Sequence, residues 1–368
     1  MIAVVIPSHT KSLKYNEIVS LKQVRKVLGN FDIYFLLPDS LEIDYGCSDI
    51  VEKRYPDENF ASTREYNKFM LNPSFYQDFC FYEYILVYQL DAFVFKDNLK
   101  EFCDLGYDYI GAPWIEGVYF RKSSKESMWY VGNGGLSLRK VSSFIKWTES
   151  IRYNSYINYI NEDLLIAAYG SPILDIAPMD VAASFSIETE FDRCMQLTKG
   201  HLPFGCHAWE RYTFYLWKKL IEEQGYTVET PDKHVLEAID FTKAMNAFCN
   251  KLYSKDEMEH LMPVTYYNNI EGVYIWGTGL WGISLMYKLE ESGIKIAGFI
   301  DNDMSRCGKR IQSYKIMSFK ELDNFKKTII VAIKNKVNQV EQQLQGFGYK
   351  KSENYTTVQY MIDEIKVL

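Results

Sequence analysis

The chain has 368 residues, which at about 100–200 residues per domain predicts two or three compact units. Its formal net charge of −7 and the lack of any Lys/Arg block exclude an electrostatic groove for DNA or RNA, so we expect no nucleic-acid partner. The seven cysteines form no CxxC pair, Met1–Pro7 lacks the pattern of a signal peptide, and no run of about 18 apolar residues occurs, so we expect a cytoplasmic protein with reduced thiols and no transmembrane segment.

The N-terminal part has the alternation of an α/β domain. The apolar runs Ile2–Ile6 and Ile33–Leu37, each followed by a proline, are typical of parallel strands buried on both faces. Between them Glu17–Leu28 has helical spacing, and Tyr84–Tyr88 and Tyr107–Ile110 supply further strands. This order predicts a parallel sheet whose strands are joined by helical crossovers.

Asp91 lies just after the predicted strand Tyr84–Tyr88, separated from it by Gln89 and Leu90. A carboxylate at the carboxyl end of a central parallel strand faces the crevice in which open α/β sheets bind ligands. Mg²⁺ and Mn²⁺ choose oxygen ligands and bridge phosphate oxygens. Asp91 is therefore a candidate metal ligand, and the alternative is that it only caps a turn.

Three segments in close order carry a family resemblance, namely Gln89–Asp91, Tyr107–Trp114 and Val131–Arg139. Together they resemble bacterial glycosyltransferase-like domains of the GT-A type over roughly Tyr55–Trp209. GT-A enzymes carry an Asp-x-Asp metal motif at this point, and Gln89 stands at its first position here. The resemblance implies a GT-A-like nucleotide-sugar-binding domain in which Asp91 holds Mn²⁺ or Mg²⁺ against a nucleoside diphosphate.

The substrate-binding candidates lie in a glycine-rich loop and in two earlier segments. Glycines permit positive φ and close approach of the backbone to a ligand, and Trp114 offers an aromatic face, although such a loop is also common as a simple turn. By resemblance, the exit of the first strand and the segment around Arg64 grip the nucleotide, with Arg64 meeting the diphosphate and Asn67 the base or ribose. The candidates are Pro7, Ser8, His9, Arg64, Asn67, Gln89, Trp114, Asn133, Gly134 and Gly135.

Two further segments resemble the catalytic and metal-binding elements of GT-A enzymes. Glu162 and Asp163 begin an apolar helical stretch, where inverting GT-A enzymes place an acidic pair that deprotonates the acceptor. Asp163 is the candidate base and Glu162 the alternative, although acids in a first helical turn also stabilise a helix. His207, within Gly205–Trp209, looks like the histidine that completes some GT-A metal sites. An imidazole ligand would favour Mn²⁺ over Mg²⁺, and the alternative is an ordinary core histidine.

The apolar periodicity weakens between Asn250 and Glu271. We therefore predict a GT-A-like domain over 1–255, a linker over 256–271 and a small Rossmann-like βαβ domain over 272–368. The elements predicted for the last domain are the strands Val273–Trp276, Ile296–Ile300 and Thr328–Ile333 and the helices Leu280–Ser292 and Lys336–Gln345.

The C-terminal domain contains the pattern GxGxxG, formed by Gly277, Gly279 and Gly282, directly after a strand and directly before a helix. Asp301 ends the next strand. This context is that of a dinucleotide-binding fingerprint, in which the acid meets a ribose hydroxyl. The domain has room for only one mononucleotide-binding half. It could therefore bind a nucleotide, or serve as a structural module that pairs with a second copy in a homo-oligomer.

The leading hypothesis is a hexosyltransferase that moves a sugar from a UDP-linked or related donor to a hydroxyl of a glycan or glycoprotein. Two alternatives stay open. The first is an NAD-dependent oxidoreductase that uses the C-terminal GxGxxG domain. The second is a non-catalytic carbohydrate-binding protein, which Gln89 in place of an acid favours.

Overall fold

The computed structural model describes residues 1–119, 128–151, 154–158, 160–170, 173–231, 248, 251, 253–269, 271–322, 327–333 and 336–365. The chain divides into an N-terminal unit, Met1–Val118 with Met128–Leu236, and a C-terminal unit, Tyr119–Ser127 with Glu237–Leu368. Both contain parallel strands and helices, so the predicted α/β class is confirmed. Within the described parts of the chain, every helix is too short or too polar to span a lipid bilayer.

The N-terminal unit alternates strands and helices in its first half, as the apolar runs predict. Its strands are β1 (Ile2–Pro7), β2 (Asp32–Pro38), β3 (Val51–Tyr55), β4 (Tyr84–Tyr88), β5 (Phe93–Val94), β6 (Tyr109–Ile110), β7 (Pro113–Tyr119), β8 (Met128–Val131), β9 (Leu136–Lys140), β10 (Ser186–Ile187) and β11 (Gly205–Cys206). Its helices are α1 (Tyr15–Leu28), α2 (Thr63–Met70), α3 (Pro73–Gln77), α4 (Leu99–Asp104), α5 (Val141–Ile151), α6 (Glu162–Tyr169), α7 (Met179–Phe185), α8 (Phe191–Leu197) and α9 (Phe214–Glu223).

The central sheet of this unit has the strand order β3-β2-β1-β4-β9-β6. Strands β1 to β4 are parallel, whereas β9 runs antiparallel to both β4 and β6. All five residues of β4 are buried, as expected of a strand covered on both faces. The strands predicted from Ile2, Ile33 and Tyr84 are confirmed, while the one predicted at Tyr107–Ile110 is shorter.

A second, small sheet lies beyond the carboxyl end of β4 along the chain. Its order is β10-β11-β5, with β10 parallel to β11 and β11 antiparallel to β5. Each of these strands has two residues, too few for any apolar alternation to reveal them in the sequence. Large aromatic side chains pack beside this sheet, and Trp209 and Trp217 are fully buried there.

The C-terminal unit forms its own parallel sheet. Its strands are β12 (Val273–Trp276), β13 (Ile296–Ile300), β14 (Arg310–Ile311), β15 (Tyr314–Met317), β16 (Thr328–Val331) and β17 (Tyr355–Thr357), and its helices are α10 (Lys255–His260), α11 (Leu280–Glu291), α12 (Val337–Gly346) and α13 (Val358–Ile365). The order is β14-β15-β13-β12-β16-β17, with only β14 antiparallel to its neighbour.

The predicted elements of the C-terminal unit are confirmed with small shifts at their ends. The strand predicted over Thr328–Ile333 ends at Val331, and the helix predicted over Lys336–Gln345 begins and ends one residue later. Helix α10 occupies part of the segment predicted as a linker, and Ser254 caps it by accepting a hydrogen bond from the backbone of Glu257 at 3.3 Å. The domain bounds 1–255 and 272–368 stay a prediction.

Candidate active site

The small sheet brings together three side chains that are far apart in the sequence. In its register Phe93 lies opposite Cys206, and Cys206 lies beside Ile187. The residues that flank these positions therefore meet at one edge of the sheet. They are Asp91, His207 and Glu188.

His207 is the centre of this group. Its Nε2 lies 3.1 Å from Oδ1 of Asp91 and 3.3 Å from Oε1 of Gln89, and its Nδ1 lies 2.9 Å from Oε2 of Glu188. The side chain is 12% exposed, so both ring nitrogens are held by protein groups in a mostly buried position. The sequence-based pairing of Asp91 with His207 thus corresponds to a direct contact.

The electrostatics of this contact favour a charged pair. Burial lowers the pKa of His207, but the carboxylates of Asp91 and Glu188 outweigh it and raise that pKa to about 10. Burial likewise raises the pKa of Asp91, but the His207 imidazolium, with a contribution from Arg211, brings it to about 2. Without a bound cation, His207 is therefore protonated at neutral pH and Asp91 is ionised.

Three glycines of the loop Gly132–Gly135 each pack against a different side chain of the site. A Cβ on Gly132 would lie 1.9 Å from the indole ring of Trp114. A Cβ on Gly134 would lie 2.0 Å from Oε1 of Glu162, and one on Gly135 would lie 2.0 Å from Nε2 of His207. The loop is thus glycine-rich because other parts of the site pack directly on its backbone. Its backbone is also joined to the end of β4, since the Gln89 N–H donates to the Gly135 carbonyl at 2.8 Å.

A methyl group at Gly135 is expected to displace the His207 ring. The ring cannot move freely because both of its nitrogens are held, so Gly135→Ala should lower the free energy of unfolding by about 1–3 kcal/mol through overpacking. Gly346→Ala is the matched control, since Gly346 lies in α12 with open space at its Cβ position and should tolerate or gain from the change. Thermal unfolding of both variants measures the effect, and an unchanged Tm for Gly135→Ala would contradict it.

The start of α6 is anchored by a buried ion pair. Nη2 of Arg139 lies 2.9 Å from Oε1 of Glu162, and Arg139 is fully buried. Arg139 also donates to the Gly134 carbonyl at 3.3 Å, to the Ser137 hydroxyl at 3.0 Å and to the Tyr76 hydroxyl at 3.0 Å. One guanidinium therefore joins β9, α3, the glycine loop and α6, and the carboxylate of Glu162 is committed to it.

Asp163, the next residue, is partly exposed and has no cationic partner at ion-pair distance among the described residues. One carboxylate oxygen accepts the Leu164 N–H at 2.7 Å. Burial raises the pKa of Asp163, and the charge of Glu162 raises it further; the Leu164 N–H opposes this, Glu188 adds a smaller increase, and Arg139 opposes it least. A carboxyl group with a raised pKa is suited to accept a proton.

The remaining substrate-binding candidates differ in burial and in hydrogen-bond partners. Pro7 ends β1, His9 is exposed, and the buried Ser8 hydroxyl lies 2.6 Å from the hydroxyl of Tyr45. Asn67 is buried and donates to Asn161 at 3.3 Å, directly before α6.

Arg64, the candidate for the diphosphate, forms an ion pair with the neighbouring Glu65 at 2.8 Å. Glu65 also contacts Lys68 at 3.2 Å. An arginine that is already paired in this way has part of its charge neutralised, so the structure does not by itself join Arg64 to the group around His207.

The residues around His207 fit a divalent cation. Two ligands bound at about 2.1 Å in adjacent octahedral positions lie roughly 3 Å apart, close to the distances from Nε2 of His207 to Asp91 and Gln89. Glu188 accepts a hydrogen bond from Nδ1, so Nε2 is the ring nitrogen that would ligate a cation, once its proton has left. No group of three or more His, Cys, Asp or Glu side chains in the described chain is arranged as a metal site, so the protein ligands would be Asp91, His207 and the neutral amide of Gln89.

The C-terminal unit places its glycine pattern at the carboxyl end of β12, where parallel neighbours lie on both sides. Gly277 has φ of +122°, and a Cβ on Gly282 would lie 1.9 Å from the Gly277 carbonyl. Gly279 has open space at its Cβ position.

Asp301 is already bound within this unit. The Thr278 hydroxyl donates to its carboxylate, and Nη1 of Arg306 lies 3.1 Å from the same oxygen. Arg306 also donates to the Thr278 hydroxyl at 2.6 Å. The Asp303 N–H donates to the other carboxylate oxygen at 2.9 Å, so the group assigned by sequence to a ribose hydroxyl has three partners from its own chain.

Two functional candidates were missed in the sequence. Glu188 follows a two-residue strand, which carries no recognisable pattern. Arg139 lies in the apolar run that became β9, and a charged residue inside a buried strand was the one available sign that it must be paired.

The chain matches two family models. Residues 49–207 match a family described as a protein of unknown function (DUF5672), and residues 269–354 match a family described as C2185-like, N-terminal. No curated protein matches the chain.

Several solved structures are similar to part of the chain. The galactosyltransferase LgtC, in complex with donor and acceptor sugar analogues, has 14% identity and a TM-score of 0.41, with 63% of this chain and 98% of that chain covered. The WbbM bifunctional glycosyltransferase has 12% identity and a TM-score of 0.36, with 56% and 45% covered. A glycosyltransferase involved in glycosylation of the major capsid of PBCV-1 has 12% identity and a TM-score of 0.35, with 56% and 92% covered.

Proposed function

We propose that the N-terminal unit is a metal-assisted glycosyltransferase. It moves a hexosyl group from a nucleoside-diphosphate sugar to a hydroxyl of a glycan or glycoprotein. The donor that we propose first is a UDP-sugar, and the configuration at the anomeric carbon is inverted. The observation that carries the proposal is the Gly132–Gly135 loop, in which the neighbouring residues Gly134 and Gly135 pack on Glu162 at the start of α6 and on His207, respectively. A ligand on this loop would lie between a metal-binding pair and a candidate base.

Asp163 takes the proton of the acceptor hydroxyl in this mechanism. The acceptor oxygen forms a bond to the anomeric carbon as the bond from that carbon to the diphosphate oxygen breaks, and the electron pair leaves with the diphosphate. A single displacement of this kind inverts the configuration. Asp163 is favoured over Glu162 because Glu162 is held by Arg139, whereas the pKa of Asp163 is raised toward the working range of a general base.

Mn²⁺ or Mg²⁺ would be held by Asp91 and His207, with Gln89 as a neutral third ligand. When bound, such a cation acts as a Lewis acid that stabilises the charge of the departing diphosphate. The imidazole ligand favours Mn²⁺. Glu188 orients His207 through its Nδ1, and Gly135 leaves the space that the ring needs.

A thermal-shift panel tests this proposal directly. UDP-glucose, UDP-galactose, UDP-N-acetylglucosamine, GDP-mannose and NAD⁺ are each added with Mn²⁺ or with EDTA. A ligand at about 100 times its Kd stabilises the native state by about 2.7 kcal/mol, which raises Tm by about 5 °C in a domain of this size. We expect at least one UDP-sugar to do so with Mn²⁺ and to lose most of the effect in EDTA.

The same panel separates the alternatives. Protection by NAD⁺ alone would overturn the proposal in favour of the C-terminal loop as the working site. Protection by a UDP-sugar without release of UDP in the presence of acceptors would point to a binding protein. No shift with any nucleotide sugar would contradict the proposal altogether.

A nucleotide at the C-terminal unit is a separate proposal. It is supported by the position of Gly277–Gly279 at the end of a central parallel strand and by the open space at Gly279. Because the Asp301 carboxylate already accepts from Thr278 and Arg306, a ribose hydroxyl would have to share that carboxylate with them or displace one of them.

A further inference from the structure

Asn133 is the only residue with a side chain in the Gly132–Gly135 loop. It is 7% exposed, and its φ of 59° lies in the left-handed region that favours glycine. Asn tolerates this conformation better than most residues, but glycine at the same position would relieve it. A side chain retained here is therefore not explained by the local backbone.

The amide of Asn133 is held in one orientation by Trp114. Nε1 of the indole donates to Oδ1 at 3.2 Å, which fixes Oδ1 as the acceptor and leaves Nδ2 as the donor end. Nδ2 is buried and has no hydrogen-bond partner among the described residues. A buried donor without a partner is unfavourable, so its presence points to an acceptor other than the described residues, such as a bound ligand.

The position of Asn133 indicates which acceptor this is. Gly135 packs on His207, so the diphosphate of a donor belongs at that end of the loop. Asn133 lies toward the other end, where Gly132 packs on the indole of Trp114. An aromatic ring beside a polar donor suits the apolar face and the hydroxyl edge of a sugar ring.

We infer that Nδ2 of Asn133 donates a hydrogen bond to a hydroxyl oxygen of the transferred sugar, and that Asn133 thereby contributes to donor-sugar specificity. The inference rests on the proposed transferase function. Trp114 is a positioning residue in this arrangement, because its Nε1–H holds the amide of Asn133 with the donor end free. Recognition of a hydroxyl by a pre-oriented buried donor discriminates strongly against ligands that lack it.

The test compares binding of UDP with binding of UDP-glucose, UDP-galactose and UDP-N-acetylglucosamine, all with Mn²⁺, by calorimetry. Asn133→Asp keeps the acceptor for Trp114 but removes the donor, and Asn133→Gly removes the side chain and suits the left-handed backbone. In both variants, we expect affinity for the sugar nucleotide that wild type binds best to fall about tenfold or more, and affinity for UDP to stay within about twofold. The Tm of Asn133→Gly should equal or exceed that of wild type, which a purely structural residue would not show.

Two further variants sharpen the test. Asn30→Asp adds the same charge at an exposed turn after α1 and should leave both affinities unchanged. Trp114→Phe keeps an aromatic ring but loses the indole donor, so it should weaken binding of the sugar nucleotide more than binding of UDP. Equal losses for UDP and the sugar nucleotide, or no loss for either, would overturn the role of Asn133 alone. Failure of wild type to bind any of the three sugar nucleotides would instead overturn the proposed function on which that role rests.

Discussion

Replacing Asp91 by Ala is expected to lower kcat/KM for donor turnover by about 10³-fold, or roughly 4 kcal/mol of transition-state stabilisation. Among the described residues, Asp91 supplies the one carboxylate at ligand distance from Nε2 of His207, so its loss leaves the neutral amide of Gln89 as the remaining oxygen ligand there. The measurement is release of UDP from the donor identified by thermal shift, at saturating Mn²⁺ and after chelation.

The control for this variant is Asp97→Ala, which removes an exposed aspartate from the same unit and should keep wild-type turnover. Asp91→Ala should also lose the difference between Mn²⁺ and EDTA that wild type shows. If Asp91→Ala kept wild-type turnover at saturating Mn²⁺, or still lost as much turnover on chelation as wild type does, the assignment of Asp91 to a cation would be wrong, whatever the variant did to stability.

The main sheets could be predicted because buried strands require apolar residues, which are visible in the sequence. Strands covered on both faces need unbroken apolar runs, and Tyr84–Tyr88 and Val273–Trp276 were located from such runs to the residue. Helix ends were predicted less exactly, since α11 ends at Glu291 and α12 begins at Val337. At these ends, local hydrogen bonding decides the last turn.

The sequence supplied candidate residues for the site but not the contacts between them. Asp91 and His207 were each proposed from resemblance and local pattern, whereas their contact depends on the pairing of β5 with β11. Each of those strands has two residues, and the groups they join lie 118 positions apart in the case of Gln89 and His207. Pairing of short, distant strands is a property of the folded core, which a local pattern does not contain.

The acidic pair illustrates the same limit. The sequence singles out Glu162 and Asp163 but treats them as near equivalents, because both lie in a first helical turn. The structure separates them through Arg139, a residue of β9 whose guanidinium meets only one of the two carboxylates at 2.9 Å. The ion pair with Arg139 thus makes Glu162 a structural residue and leaves the carboxylate of Asp163 available to accept a proton.

Replacing Asp163 by Asn is expected to lower kcat by about 10²–10⁴-fold with little change in donor affinity, because the variant removes the proton acceptor without disturbing the nucleotide site. In wild type, the base must be ionised, and burial with the charge of Glu162 raises the pKa of Asp163. Turnover should therefore fall as pH drops through a pKa above the usual range of an aspartate, and this acidic limb should vanish in Asp163→Asn. The pH profile of kcat/KM in single-turnover assays measures it.

Stability should respond in the opposite sense from activity. A carboxyl whose pKa is higher in the folded than in the unfolded state binds more protons when folded, so its contribution to stability falls as pH rises through that interval. Asp163→Asn removes this cost and should keep or raise Tm at neutral pH. Glu162→Gln should instead destabilise the fold by about 3–5 kcal/mol, because it leaves the buried Arg139 without its counter-ion. If Asp163→Asn kept full activity and a folded Glu162→Gln lost turnover, Glu162 would be the base and Asp163 the structural residue.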